Sequence, residues 1–368
     1  MLDNNTILYD RSRAVQDWKC PRSRMYAYEL NGTGIASNDT HLELYLGQIV
    51  HDGLAAIANG LGIDSIADVG SKQMFDTLMA DMAGESSAEG FAKEQAALVE
   101  GLLRGFYKHV WPRLRAKFPE VVAIEQEMLY EHGRNCIFMS RPDLVVRDAS
   151  GEVWYVEYKT TGSNKETWIN SWSTAVQLHS AVRAIEATLK EKVTGVVVQG
   201  LYKGAISYGK QSSPFCYAYL KAGNPPFIKE DIQYEYKAGY RRSPTWEREG
   251  GVKAWVEGMP EHVLAAQFPQ TPPIFLNEAL IDAFFKQREE REVEIKSASL
   301  TLRERTLDEG YRQFVMNQAF PQKFDACYPS FGKPCPFRKL CFGNVEDPLR
   351  AGYVVRQPHH KLEEDSLV

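Results

Sequence analysis

Apolar residues in the first third of the chain recur at intervals of three and four. They then give way to alternation, so the pattern predicts helices followed by a sheet. A helix is predicted over 11–30, broken at Cys20-Pro21-Arg22 and resumed with proline in its first turn. A second covers Leu42 to Ile57 and ends near Gly60 or Gly62. Residues 63–87 are mixed, with a short helix around Lys72–Met82, and a long amphipathic helix runs from Ala88 to Phe118, interrupted at Pro112. Val121–Tyr130, Cys136–Arg147 and Val153–Thr160 read as three antiparallel strands. Thr167–Lys190 is predicted helical, Thr194–Tyr202 is a further strand, and together they give a mixed α/β core. Turn-rich sequence follows from 204 to 273, with strands at Phe215–Leu220 and Ile232–Tyr236. Phe275–Ala319 reads as one or two charged helices, with Arg288-Glu289-Glu290-Arg291-Glu292 as a solvated face, and 359–368 as a tail.

Within the strand at 153–160, Glu157 and Lys159 interrupt an apolar run, and period-two alternation puts both on one face. An acid and an amine at the end of a buried strand are costly unless paired or used. Asp143 stands at the start of the apolar run Leu144-Val145-Val146. An Asp and a Glu on adjacent strands can hold a divalent cation, and a lysine beside them can handle a nucleophilic water, the chemistry of phosphodiester cleavage. Glu125 and Glu127 alternate on the preceding strand, where Glu127 is either an additional acidic group or, as the simpler expectation, solvent-facing.

The bulk properties narrow this little. The chain has 368 residues, 44% of them hydrophobic and 25% charged, enough for one elaborated domain or two. A net charge of −5 and a pI near 6.0 supply no global basic field, so a nucleic-acid partner would need a local groove. The N-terminus lacks the pattern of a signal peptide and no apolar run is long enough to span a membrane, so a cytoplasmic, reducing setting is expected. There, clustered thiols among the six cysteines point to metal rather than disulfides.

Taken together these residues resemble the PD-(D/E)XK nuclease superfamily, and within it the RecB-like branch. Gly47-Gln48-Ile49-Val50-His51 matches the G-x-x-x-H helix of that branch, Asp143 its strand aspartate, and Glu157-Tyr158-Lys159 its (D/E)-x-K. Ser140 replaces the family glycine before Asp143. Gln177 matches the start of Q-x-x-x-Y, whose tyrosine is Ala181 here. The resemblance implies a restriction-endonuclease-like mixed sheet flanked by helices: a helical region over 1–120, a nuclease core over 121–203, sheet elaboration over 204–274, helices and cysteines over 275–345, and a tail over 346–368. It implies Mg²⁺ or Mn²⁺ held by His51, Asp143, Glu157 and the Tyr158 backbone carbonyl, with Lys159 activating water and Gln177 completing the catalytic set. Imidazole favours manganese.

Cys20, Cys327, Cys335 and Cys341 are laid out like the cluster ligands of the iron–sulfur nucleases of that branch, among them CRISPR-adaptation and phage exonucleases, except that the seven-residue gap between Cys327 and Cys335 is longer than the family's usual two. The implied group is a [4Fe–4S] cluster joining the chain's two ends, with Zn²⁺ held by the thiolate tetrad, or plain reduced thiols, as the alternatives. Cys136 and Cys216 read as small buried hydrophobes. The implied activity is a DNA exonuclease on single strands or ends, in recombination, repair or replication, with a helicase or recombination partner. A structure-selective endonuclease and a non-catalytic DNA-end-binding subunit are the alternatives. Arg22, Arg24, Arg141, Lys165, Lys203, Lys210, Arg241 and Arg242 are candidates for a phosphate-tracking groove, with Trp168, Trp172 and Tyr202 as stacking surfaces.

Overall fold

Eleven strands are formed among the described residues of the computed structural model, which are 6–38, 42–162, 166–204, 213–221, 240–304, 306–328, 334–343, 345 and 347–366. They are β1 (Ile7–Asp10), β2 (Ile35–Ser37), β3 (Glu120–Ile124), β4 (Met128–His132), β5 (Cys136–Ser140), β6 (Leu144–Arg147), β7 (Val153–Thr161), β8 (Val193–Tyr202), β9 (Tyr217–Lys221), β10 (Tyr240–Pro244) and β11 (Tyr353–Val355). The central sheet has the order β3-β6-β7-β8, antiparallel except for the parallel β7–β8 pair. Beside it lies the three-stranded sheet β1-β5-β4. The fold is mixed α/β, as expected.

Two predicted strands are each cut in half and shared between these sheets. The run 121–130 becomes β3 and β4, and 136–147 becomes β5 and β6. In the second case the break falls at Arg141-Pro142-Asp143, where proline has no N–H for a ladder. Asp143 therefore sits at a strand mouth between the sheets.

Along β7, alternation sends Trp154, Val156 and Tyr158 into one core and Val153 and Tyr155 into another. The first core is filled by the helices Leu42–Ala58, Ile63–Asp81 and Ala88–Gly105, which cover one face of the central sheet. A Cβ at Gly53 would stand 2.5 Å from Leu103 Cδ2, so the absent side chain permits two of these helices to approach. The second core holds the helices Val176–Leu189 and Glu278–Arg303 against the other face.

The helix expected only at 72–82 extends from Ile63 to Asp81, because Ile66, Gly70, Met74 and Leu78 form a buried stripe among polar neighbours. The predicted 167–190 helix is interrupted at Trp172–Thr174 before Val176–Leu189 begins. The supposed solvated face at 288–292 is corrected outright. Arg288 and Glu292 are each 1% exposed, and they pair with each other, with Asp17 and with Arg24. The tail reading is corrected too, since β11 pairs with β2 and Arg356, His360 and Glu363 are buried. The strand expected at Ile232–Tyr236 lies outside the described residues.

Candidate active site

Four elements converge where β6 begins and β7 ends. The helix Leu42–Ala58 brings His51, the break before β6 brings Asp143, β7 brings Glu157 and Lys159, and the helix Val176–Leu189 brings Gln177. All of them line one cleft of about 580 Å³. Sequence positions from 51 to 177 thus meet in a single place.

His51 Nδ1 lies 3.1 Å from Asp143 Oδ1 and 3.8 Å from a carboxylate oxygen of Glu125. Ligand atoms of these three residues lie within 4.8 Å of one another, close enough for one ion. Hard carboxylate oxygens with one imidazole suit a divalent first-row metal or magnesium, so the donors fit the cation that the sequence implied. The other Asp143 oxygen accepts from the Tyr158 amide at 2.6 Å, which fixes the carboxylate against β7. It is the amide of Tyr158, rather than its carbonyl, that Asp143 contacts.

Glu157 is 3% exposed and stands beside this group. Its oxygens accept from the Tyr155 hydroxyl and from the Gln177 amide, and Lys159 Nζ lies 2.6 Å away. Burial pushes the Glu157 carboxyl above its ordinary range and the Asp143 charge adds to that, while the Lys159 ammonium opposes both. Burial alone would depress the His51 imidazole, but the Asp143 carboxylate outweighs it, with help from Glu125, and the imidazole is pushed up to about 10.

Glu125 is the acidic residue that the sequence reading passed over in favour of Glu127. It adopts a left-handed backbone (φ +47°) just past β3 while its amide donates to the Asp143 carbonyl at 3.2 Å. A non-glycine residue held there stores strain, and strain of this kind concentrates at functional sites. Nothing in strand alternation signals it. Glu127, taken as solvent-facing, accepts instead from His360 Nδ1 at 3.0 Å and from the amides of Lys361 and Leu362.

Several groove candidates are placed elsewhere. Arg24 is buried on Glu292 and Glu29, Arg22 is spent on the carbonyls of Met316 and Phe320, and Tyr202 is buried. Trp168 and Trp172 pack against the second core. Arg141 does line the cleft, and Lys203 is partly buried at the end of β8. Lys165, Lys210 and the side chains of Arg241 and Arg242 lie outside the described residues.

The thiols gather at another end of the molecule. Cys327 and Cys341 each feel the charge of Cys20 and Cys335, the Cys335 amide donates to the Cys327 carbonyl at 3.0 Å, and Cys335 and Cys341 pack on a core containing Met25, Phe337 and Tyr353. Among the described residues no three of them close around a single ion, which a mononuclear zinc tetrad requires. Cys136 and Cys216 are buried in the sheet cores as expected. No helix is long and apolar enough to cross a membrane.

A family model described as the PD-(D/E)XK nuclease superfamily matches residues 14–342. No curated protein matches the chain.

Proposed function

The chain belongs to the PD-(D/E)XK nuclease superfamily, and we propose that it is a divalent-metal-dependent deoxyribonuclease of the RecB-like branch, acting as an exonuclease on single strands or DNA ends. The observation that carries this reading is the approach of His51, Asp143 and Glu125 to within reach of one ion, with the Glu157–Lys159 pair alongside. In this proposal His51, Asp143 and Glu125 hold the cation, with Glu157 and the Tyr158 carbonyl as the remaining donors. Bound there, Mg²⁺ or Mn²⁺ supplies Lewis acidity toward the scissile phosphate and lowers the pKa of water beside it.

The protein's own groups do the rest. Lys159 is 26% exposed at its side chain, so its ammonium can reach a water or phosphate oxygen without leaving Glu157. It orients the attacking water and offsets negative charge as that charge develops on the phosphate. Gln177 and Tyr155 hold Glu157 in one orientation, which keeps the ammonium in place. A carboxylate buried as Glu157 is would be a liability in an inert module.

We also propose that Cys20, Cys327, Cys335 and Cys341 ligate a [4Fe–4S] cluster. Their mutual electrostatic reach without closure on one ion supports this, because a polynuclear cluster spreads its thiolates wider than a single metal does. The enzymatic reading is tested with end-labelled linear and circular single-stranded DNA in Mn²⁺, comparing the native protein with Lys159→Ala. Degradation of linear but not circular substrate, lost in the variant, is the expected result. Cutting of circles would make it an endonuclease, and equal activity of the two proteins would remove catalysis from this site.

A further inference from the structure

The C-terminal segment returns to the catalytic cleft and is fastened there by buried charge. Glu363 is paired with both Arg13 and Arg356, and all three are less than a tenth exposed. Arg356 also donates to the Thr33 carbonyl at 3.1 Å, while Glu127 receives His360 and the next two backbone amides. Breaking such a set leaves buried charges unpaired, so the segment's position is strongly held. Between Arg356 and Glu363 stands His359. Its amide donates to Glu363, its carbonyl accepts from the Arg141 guanidinium, and the residue, which is exposed, lines the same cleft as His51, Asp143 and Lys159.

We propose that His359 is a substrate-contacting residue whose imidazole donates a hydrogen bond to a backbone phosphate of the nucleic-acid strand in this cleft. The inference rests on the nuclease reading of the site. Its warrant is a mismatch of charge. The cleft is crowded with carboxylates, Asp10, Glu43, Asp143 and Glu157 among them, yet the substrate is a polyanion. Donors must come from the walls, and Arg11, Arg141 and His359 are the groups so placed near the N- and C-terminal segments. Arg11 is within electrostatic reach of Glu157, and Arg141 is braced by the His359 carbonyl. Among the described residues the His359 imidazole makes no hydrogen bond, which leaves its donor for a ligand. His359 is exposed on the cleft wall, and above the ordinary imidazole pKa of about 6.5 it acts as a neutral donor and not as a counter-charge.

The test compares the full-length native protein with His359→Ala, His359→Asn and Arg141→Ala. Affinity for a fluorescein-labelled single-stranded oligonucleotide is read by anisotropy with Ca²⁺, across a salt series, and kcat and KM are read in Mn²⁺. For His359→Ala the Kd and KM rise about three- to tenfold, kcat stays within about twofold, and the melting temperature and salt slope are unchanged. His359→Asn, which keeps a donor, recovers most of the loss. Arg141→Ala lowers affinity and also reduces the salt slope by about one. Native Kd and KM in His359→Ala would overturn the inference while leaving the nuclease reading intact, as would a loss that tracks a lowered melting temperature and is not restored by asparagine. A native protein that binds but never cleaves removes the nuclease reading, and the anisotropy arm still decides His359. One that neither binds nor cleaves sinks both.

Discussion

Nδ1 of His51 stands 3.1 Å from Oδ1 of Asp143 across 92 positions of sequence, and this contact sets the protonation state of the imidazole in the proposed cation site. With its pKa pushed up to about 10, chiefly by Asp143 against the effect of burial, the imidazole carries a proton at neutral pH that a metal must displace. Binding of Mn²⁺ at pH 7 is therefore expected to release about one proton and to tighten about tenfold per pH unit as pH rises toward 10. Calorimetry in buffers of different ionisation enthalpy measures the release directly. His51→Ala should bind more weakly, with proton release near zero. Buffer-independent heats in the native protein would show that His51 is not a ligand.

Lys159 has two effects, one on the phosphate and one on Glu157, and they separate in a pH profile. Its ammonium is the main influence holding down a carboxyl that burial and Asp143 push up. Lys159→Ala should lower the single-turnover cleavage rate about a hundredfold or more through lost stabilisation of the developing phosphate charge. The residual rate should also have its acid limb moved to higher pH, because Glu157 then stays protonated further up the scale. An unchanged acid limb would mean that Glu157 ionisation does not govern the rate.

How much of this was legible follows from the range of each signal. The strand carrying Glu157 and Lys159 was readable because alternation, β-branched content and paired charges all act locally, and each sits where the spacing placed it. The cut at Pro142 was not, since an apolar run looks the same whether it stays in one sheet or passes between two. Arg288 and Glu292 misled for a related reason: a charge run usually marks a solvated face, and only the distant Asp17 and Arg24 permit its burial. Glu125 and His359 depend on backbone twist and long-range return of the chain, for which local pattern carries no information.

That buried network makes a stability prediction. Glu292 pairs with Arg24 and Arg288, while Asp17 pairs with Arg288 and Arg291, joining the N-terminal helix Arg11–Lys19 and its continuation to the long helix Glu278–Arg303. Glu292→Ala leaves Arg24 with Glu29 and Arg288 with Asp17 as their remaining carboxylate partners and should cost about 1–3 kcal/mol in chemical denaturation. A loss under about 1 kcal/mol would mean that the charges are solvated.

The same network has an acid limit with a definite sign. Burial acts to raise Asp17 and Glu29, but Arg291 and Arg288 in the first case, and Arg24 in the second, hold both below the usual carboxylate range. A depressed folded-state pKa contributes stability that is complete above the unfolded value, near about 4, and is lost as pH falls through the folded value. Unfolding free energy should therefore fall as the medium is taken below about pH 4, and Asp17→Asn should flatten that dependence. An identical slope in the variant would place the acid sensitivity in other carboxylates.

The thiols give the last prediction, and it can be checked without any substrate. Cys335 and Cys341 lie on the core formed by Met25, Tyr26, Phe320, Phe337 and Tyr353, so a cluster there would tie the start of the chain to its end. Anaerobically purified protein should carry iron and sulfide with a broad absorbance near about 400 nm. Cys335→Ser should lose most of that iron and melt at lower temperature, because the segments it joins then rely on the small core alone. Cys136→Ser and Cys216→Ser serve as controls, since both thiols are buried in sheet cores and should leave the iron content unchanged. Zinc at one equivalent in place of iron would favour a single-ion site and require the four sulfurs to draw together on binding. Protein free of both metals, with Cys335→Ser as stable as the native chain, would leave these residues as reduced thiols.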